Sequence, residues 1–488
     1  MLKKSLLLSC VTILFLSTVL AADNSIDDDL SGFDNEDTAN IVGDDTDSDL
    51  DGFDEISDDL DNISMQEEPI SKSIFRLSGD ISFKTSVGYK EHEVNARKSD
   101  AQAIDYSGVN QARTSLYLQL DARLSDDWKV RVSGDAFYDA IYNLHPNNNY
   151  NTDTLDAYKT QLRFNDTYIQ GRLSSDIDLK VGRQIVVWGK SDSIRITDVI
   201  NPTDNRQPGM TDIEDLRLPT TMAKLDYYVG KWNLSAMAIA ESRIFLEAAP
   251  RSEFFPVDKV FPIGAPDPFI ELIQPSVSWD NMQYAFAANG IFSGWDLSFY
   301  AADLFDQKWH IDPISKTRVV TKIKMLGSAF NVAIGSWLVK TEIAYLDGVK
   351  YNSTTDEKNR LDLLIGFDYM GIEDTVLSLE IANKHIYNYE SQMSKLVEKP
   401  DYVYKDEMQT AIRVTKSLYN DTLSTTALLS VFGSSWQYGG FARVWAEYEL
   451  ADAIHVDVGI VDYIDGDKPF PRAIKDNDRI FADITYSF

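Results

Sequence analysis

The strongest constraint on this chain is a period-two alternation of apolar and polar residues, which recurs from residue 74 to the end. In the last nine residues one face carries Ile480, Ala482, Ile484, Tyr486 and Phe488. The opposite face carries Arg479, Asp483, Thr485 and Ser487. Segments of about ten residues with this alternation are typical of transmembrane β-strands. A soluble edge strand has the same pattern, so the rest of the chain must decide between them.

The connections between the predicted strands distinguish these classes. We count about eighteen strands between residues 74 and 488, with sixteen as the alternative count. When the predicted strands are numbered along the chain, the connection from each even-numbered strand to the next odd-numbered strand is short, as at 125–127 and 230–231. Nearly all connections from an odd-numbered strand to the next even-numbered strand are long. Bacterial outer-membrane barrels have an even strand number, short periplasmic turns and long external loops. The sequence therefore predicts an all-β fold over 73–488, a transmembrane antiparallel up-and-down β-barrel.

Aromatic residues at the short turns support this prediction. They are Trp128, Trp232, Trp295, Trp337, Tyr369, Tyr419 and Tyr448. Such residues form interfacial girdles where a barrel leaves the hydrocarbon. Toward the long loops, three strands are predicted to extend over 128–142, 177–188 and 232–243. We expect the outward faces of the barrel to contact outer-membrane lipid.

Residues 1–22 are predicted to be a secretory signal peptide. Two lysines precede an apolar run over 5–20, and cleavage is expected near Ala21 or Ala22. The run is too short for a transmembrane helix. The only cysteine, Cys10, lies within it, so we expect no disulfide in the mature chain. Export to the outer membrane of a Gram-negative bacterium is the expected localisation.

Residues 23–72 are predicted to be a disordered, periplasmic, acidic arm. Residues 23–69 hold 15 Asp and 4 Glu but no Lys or Arg. The mutual repulsion of these carboxylates opposes folding of the segment. The arm is either a solvated spacer or a docking segment for a periplasmic or exporter partner. Alternating carboxylates before a glycine also make a candidate calcium loop of Asp47, Asp49, Asp51 and Asp58. Asp58 stands where a bidentate Glu is usual, which favours a simple acidic segment.

A series of motifs follows the fifth predicted strand. It comprises Gly182-Arg183-Gln184, Trp188-Gly189, Asn201-Pro202-Thr203-Asp204 and Leu218-Pro219. Here the chain resembles a family of Gram-negative outer-membrane barrels catalogued as a domain of unknown function. Lys190 departs from the pattern, in which Glu is expected after Trp-Gly. The resemblance implies a porin-like envelope channel, in some members associated with resistance-nodulation-division exporters and a periplasmic carrier protein.

The long loop at 189–219 carries charges of both signs, and we predict that it folds into the lumen as a constriction. The alternative is that its charges only brace the loop against the wall. The candidate pore residues are Arg183, Gln184, Trp188, Lys190, Asp198, Asn201, Asp204, Arg206 and Arg217.

Basic residues of inward parity are frequent in the first five strands. They include Arg113, Arg131, Arg163 and Lys180. A continuous basic track favours anionic solutes, whereas a wall of mutually screened ion pairs favours neither sign. The sequence leaves both interpretations open.

The aromatic carboxy-terminus, with Tyr486 and Phe488, resembles the signal read by the outer-membrane barrel assembly machinery. That machinery is therefore an expected partner.

Apart from the candidate calcium loop, no motif predicts catalysis, a cofactor, a metal centre or a nucleic-acid partner. Gly189-Lys190-Ser191 lacks the first glycine of a phosphate-binding loop, because Gln184 stands there. The leading hypothesis is a passive outer-membrane channel for small solutes. The alternative is a plugged barrel that binds a partner of a periplasm-spanning exporter, and an outer-membrane enzyme is a minor third.

Overall fold

A computed structural model describes residues 74–95, 103–145, 150–260, 271–312, 314–395 and 401–488. The predicted signal peptide and acidic arm, with the calcium candidates Asp47, Asp49, Asp51 and Asp58, lie outside these ranges. Within them, no helix combines the length and apolar character needed to span a bilayer.

Eighteen antiparallel strands form one closed sheet, which confirms the predicted barrel and its strand count. Each strand pairs with its neighbours along the chain, and the last pairs with the first. The strands are β1 (Phe75–Gly88), β2 (Gly108–Arg123), β3 (Trp128–Asp139), β4 (Thr160–Ser174), β5 (Ile177–Gln184), β6 (Thr220–Val229), β7 (Trp232–Ile239), β8 (Gln283–Phe292), β9 (Trp295–Phe305), β10 (Lys322–Ile334), β11 (Trp337–Val349), β12 (Lys358–Ile372), β13 (Thr375–Ile386), β14 (Asp406–Leu418), β15 (Leu423–Phe432), β16 (Gly440–Ala451), β17 (Ile454–Ile464) and β18 (Arg479–Ser487).

The seam between β1 and β18 closes the barrel. Its register runs from Asp80 opposite Ser487 to Gly88 opposite Arg479. Beyond β18, the backbone groups of Gly79 and Phe488 exchange two hydrogen bonds of 2.9 Å. The seam leaves neither strand with an open edge, as a barrel in hydrocarbon requires.

The two faces of β18 follow the predicted alternation. Ile480, Ile484 and Tyr486 are 46–49% exposed, whereas Asp483 on the other face is 8% exposed. Exposed apolar side chains recur along the outer faces of the other strands. This outer surface is suited to acyl chains and not to water.

Aromatic side chains cluster around the short turns. Trp295 stacks on Phe292 with ring centroids 4.1 Å apart, and Trp337 lies 4.6 Å from Tyr369. Their position at one end of the strands is that of an interfacial girdle.

Three strands end earlier at the long-loop end than the sequence predicts. β3 ends at Asp139 and not at 142, because the Asp139 carboxylate accepts the N–H of Ile141 at the start of a helix. β5 ends at Gln184 and not at 188, and β7 ends at Ile239 and not at 243. In each case the backbone beyond the strand end makes hydrogen bonds with a side chain or a loop. The alternation of apolar and polar residues does not show where these contacts begin.

The long loops carry the remaining elements of the described residues. Four short helices are α1 (Ile141–Leu144), α2 (Thr152–Tyr158), α3 (Val257–Val260) and α4 (Pro469–Ile474). Two 3-10 turns span Trp279–Asn281 and Ser391–Ser394. Short strand pairs or triplets join Glu93–Asn95 to Ala103–Asp105, Asp204–Asn205 to Leu246–Glu247, and Arg318–Val319 to both Leu272–Ile273 and His310–Ile311.

A buried histidine in the first long loop makes that loop sensitive to acid. His92 is 3% exposed, and neither ring nitrogen has a hydrogen-bond partner within the described part of the chain. Burial and the nearby charges of Lys259 and Arg479, partly opposed by the Glu253 backbone and Asp476, lower the pKa of His92 from 6.5 to about 4. The folded loop therefore favours neutral imidazole.

We expect this burial to destabilise the folded loop as the pH falls from 6.5 toward 4, and to have no effect above 6.5. The loss approaches about 3 kcal/mol at low pH. His92→Gln should remove the part of the acid dependence that comes from this residue, measured as thermal unfolding or proteolysis of the detergent-solubilised barrel between pH 7 and 4.5. Equal acid dependence in the variant and the parent would contradict the assignment.

Candidate functional site

The loop between β5 and β6 leaves the wall at the first motif. Gly182 has φ +138°, and a Cβ there would lie 2.2 Å from the carbonyl oxygen of Thr167, so only glycine fits. Gln184 is fully buried, and its amide donates to the carbonyls of Lys180 and Met222, at 3.3 Å each. These contacts end the strand and direct the chain inward.

The Trp-Gly motif packs the loop against β9. The Trp188 ring is buried and stacks on Tyr300 of β9 with centroids 4.7 Å apart. Gly189 then donates its N–H to the Tyr300 hydroxyl at 3.2 Å. Gly189 has φ +94°, and a Cβ would lie 2.7 Å from a carboxylate oxygen of Glu342. The glycine therefore permits close approach to that carboxylate.

Asn201 closes the base of the loop. Its amide nitrogen donates to the carbonyls of Gln184 (3.2 Å) and Leu218 (2.9 Å), and its oxygen accepts the N–H of Val186 (2.8 Å). The side chain is fully buried. It joins the first and last parts of the loop, which explains why the motif requires an amide.

Apolar residues at the start of the loop fill one side of the lumen. They pack with inward-facing residues of β6–β14 in one buried cluster. The loop members of this cluster are Val186, Trp188, Ile194, Ile196 and Ile200. This half of the barrel is a core and not a passage.

Glu342 of β11 anchors the same segment. One of its carboxylate oxygens accepts the N–H groups of Lys190 (2.6 Å) and Ser191 (2.9 Å). The other accepts the N–H (3.0 Å) and the hydroxyl (2.7 Å) of Thr197. Hydrogen bonds to a carboxylate are roughly twice as strong as neutral ones.

A second anchor lies on β13. The Glu380 carboxylate accepts the N–H groups of Asp192 (2.7 Å) and Ser193 (3.0 Å). Lys340 of β11 pairs with Asp192 and, at 2.6 Å, with Asp368. Glu342 and Glu380 are not among the site residues that the sequence predicts. Alternation can place a glutamate on the inner face of a strand, but it cannot show which loop that glutamate contacts.

The charged residues after Ile194 first brace the loop itself. Arg195 and Arg217 both donate to the same oxygen of Asp198 at 2.9 Å. Arg195 also donates to the carbonyl of Asn201 at 2.6 Å. These predicted pore residues hold the loop shape.

Arg206 and Asp204 connect the middle of the loop to β4. Arg206 pairs with Asp204 at 2.5 Å and donates to Gln161 at 2.7 Å, and Arg163 lies 3.6 Å from Asp204. Burial alone would raise the pKa of Asp204, but hydrogen bonds and charge from Arg206 outweigh it and hold that pKa below its usual value. Asp204 is therefore ionised and compensated.

Asp212 extends the loop to a third part of the wall. Its two carboxylate oxygens pair with Arg413 of β14 (3.0 Å) and Arg443 of β16 (2.9 Å). The Tyr463 hydroxyl of β17 donates to the carbonyl of Pro208 at 2.6 Å. With the anchors on β4, β11 and β13, these contacts show that the loop crosses the barrel interior.

Two predicted pore residues, Arg183 and Lys190, form ion pairs outside the group of contacts described above. Arg183 shares the parity of Val181, which is exposed on the outer surface, and pairs with Glu241 at 2.7 Å. Lys190 lies 3.5 Å from Asp296 of β9.

The residues of the predicted basic track already have partners. Arg113 pairs with Asp139 (3.4 Å), Arg131 with Asp121 (2.8 Å), Arg163 with Asp135 (3.0 Å), and the Lys180 ammonium lies 4.0 Å from the Tyr168 ring centroid.

The remaining side of the lumen holds a cavity of about 470 Å³. It lies between the 204–216 part of the loop and the wall formed by β1–β4 and β16–β18. Most of the residues that line it are polar or charged. We refer to it below as the lumen cavity.

Solved structures similar to this chain include two proteins of Pseudomonas aeruginosa, of which OpdK is described as an outer membrane protein, and one protein of Acinetobacter baumannii. OpdK is 10% identical with a TM-score of 0.47, covering 85% of this chain and 99% of its own. OccK11 (OpdR) is 9% identical with a TM-score of 0.45, covering 85% and 96%. Acinetobacter baumannii OccAB3 is 11% identical with a TM-score of 0.49, covering 85% and 99%.

No curated protein sequence matches the chain. One family does, and its description reads "Protein of unknown function (DUF1302)". The match covers residues 5–488 and so includes the whole barrel and the loop motifs. The chain therefore belongs to the DUF1302 family.

Proposed function

We propose that this protein is an outer-membrane channel for small polar solutes, in which the loop at 189–219 narrows the lumen. The lumen cavity carries the proposal, because a polar space remains between the loop and the wall. Barrels of about 16–18 strands enclose an aqueous lumen unless loops fill it. Here the loop fills the apolar side and leaves the polar side as the path.

In this proposal the channel works by size and by charge, without a chemical step. The loop is held at β4, β11, β13, β14 and β16, so the width of the passage is preorganised. Charged groups along the path replace part of the hydration shell of a passing solute and set which solutes enter. Transport then follows the concentration gradient.

The second candidate is a plugged barrel that acts through a partner. The observation in its favour is the density of contacts to the loop, since Glu342 alone accepts four hydrogen bonds. In that case the acidic segment at 23–72 would engage a periplasmic or exporter component. An enzyme is the third candidate, and no residue described above favours it.

Planar-bilayer recording separates these candidates. The full chain should give discrete, ohmic current steps, and replacing residues 190–217 by a short Gly-Ser linker should enlarge them. A silent parent with a conducting deletion variant would instead support the plugged barrel. Silence of both proteins, together with turnover of lipid or peptide, would support an enzyme.

A further inference from the structure

We infer that the lumen cavity selects for cationic solutes. The inference rests on the proposed channel function and names its substrate class: small molecules that carry an ammonium or guanidinium group, or inorganic cations. It follows from how the charges lining this cavity are paired.

Every basic side chain lining the cavity already has a carboxylate partner. The pairs are Lys84–Asp483 (2.8 Å), Arg113–Asp139 (3.4 Å), Arg163–Asp135 (3.0 Å), Arg206–Asp204 (2.5 Å) and Arg443–Asp212 (2.9 Å). Four of these five positive charges are compensated locally, and Arg443 shares Asp212 with Arg413 (3.0 Å), which leaves one positive charge against the four carboxylates described next.

Several lining carboxylates, in contrast, have no basic partner. Asp80, Asp215, Glu447 and Asp457 all line the cavity. Among the described residues, no Lys, Arg or His lies within ion-pair distance of any of them. Glu447 accepts only the indole N–H of Trp445, at 2.7 Å. The uncompensated charge of the cavity is therefore negative.

Strand register concentrates this charge at one place. Asp457 of β17 lies directly opposite Glu447 of β16 on one side and Asp483 of β18 on the other. Lys84 of β1, opposite Asp483, and Arg443 of β16, which also pairs with Asp212, offset only part of the charge of this row of three carboxylates. Like charges directly opposite each other in a sheet cost stability. A passing cation relieves that repulsion, whereas an anion increases it.

The opposite side of the cavity does not reverse this preference. Arg163 and Arg206 face the row from β4 and from the loop, but Asp135 and Asp204 compensate them. A narrow lumen with low-dielectric walls focuses the field of the uncompensated side. Because the Debye length is about 10 Å at 0.1 M salt, selectivity should be largest at low ionic strength.

Reversal potentials of the full chain in a KCl gradient test the inference. We expect potassium to be about fivefold more permeant than chloride at 0.1 M, and the double variant Glu447→Gln/Asp457→Asn to approach equal permeability. The matched control is Asp452→Asn, which removes one carboxylate from the exposed turn between the same two strands. Conduction with an anion preference, or an unaltered ratio in the double variant, would overturn the inference while leaving the channel proposal intact.

A second measurement tests the cavity without conduction, so a silent barrel still gives an answer. Ser115 lines the cavity and is partly exposed, so Ser115→Cys places a thiol there. In detergent at low salt, a cationic methanethiosulfonate should modify this thiol at least about threefold faster than an anionic one, each rate being divided by the rate for a free thiol, and the double variant should lose the difference. Faster modification by the anionic reagent, or a cationic preference that survives the double variant, would refute a cation-selective cavity.

Discussion

Glu342→Gln is expected to release the lumen loop and to raise single-channel conductance at least about threefold, because hydrogen bonds to a charged group are the stronger ones. The amide nitrogen of glutamine cannot accept a hydrogen bond. One orientation of the amide turns that nitrogen toward the N–H groups of Lys190 and Ser191. The other turns it toward Thr197. In the first orientation both contacts are lost, and in the second the contact to the Thr197 N–H is lost, because only the Thr197 hydroxyl can rotate and accept a hydrogen bond from the amide.

The loss of at least one charge-assisted contact costs about 1.5–3 kcal/mol locally, and the contacts that remain go to a neutral oxygen and are about half as strong. Trypsin provides an independent measurement, since the freed loop would expose Lys190, Arg195 and Arg206 to cleavage. Glu449→Gln is the control, because Glu449 lies exposed near the short turn after β16 and makes no side-chain contact with the loop. Unchanged conductance together with unchanged cleavage of Glu342→Gln would falsify the anchoring role.

Arg479→Met is expected to destabilise the barrel by about 3–5 kcal/mol, since it leaves a buried carboxylate without its charge partner. Arg479 is 1% exposed, and its guanidinium pairs with Glu253, which is itself 8% exposed. One of these contacts spans 3.4 Å between Nη1 and Oε2. After substitution only Asn110 would still donate to Glu253, at 3.3 Å.

The measurement is the urea midpoint of unfolding in lipid vesicles for the parent and its variants. The double variant Glu253→Leu/Arg479→Met should recover most of the loss, because neither charge is then buried alone. Lys475→Met breaks an exposed pair with Asp465 of 3.2 Å and should change stability by less than about 1 kcal/mol. An equal loss in the single and double variants would show that packing, and not charge, explains the effect.

The sequence predicted the wall of this barrel well and its loop contacts poorly. Alternation placed Ile480 outside and Asp483 inside because neighbouring side chains of a strand must point to opposite faces. The motifs around Gln184, Trp188 and Asn201 marked the loop that crosses the lumen. Their mechanical roles, such as the three hydrogen bonds of Asn201, appeared only in the folded chain.

The alternation of residues along the chain is enough to specify a closed antiparallel barrel, because a membrane forces each strand to alternate and every backbone group to find a partner. That requirement applies to each strand separately, so it is visible in the order of apolar and polar residues along the chain. Which charges meet inside the barrel depends instead on contacts between distant parts of the folded chain. Glu342 and Lys190 are 152 positions apart in the chain, and only barrel closure brings them within 2.6 Å. The same closure compensates the arginines and leaves carboxylates free at the lumen cavity, since pairing across a lumen depends on distance and not on order in the chain.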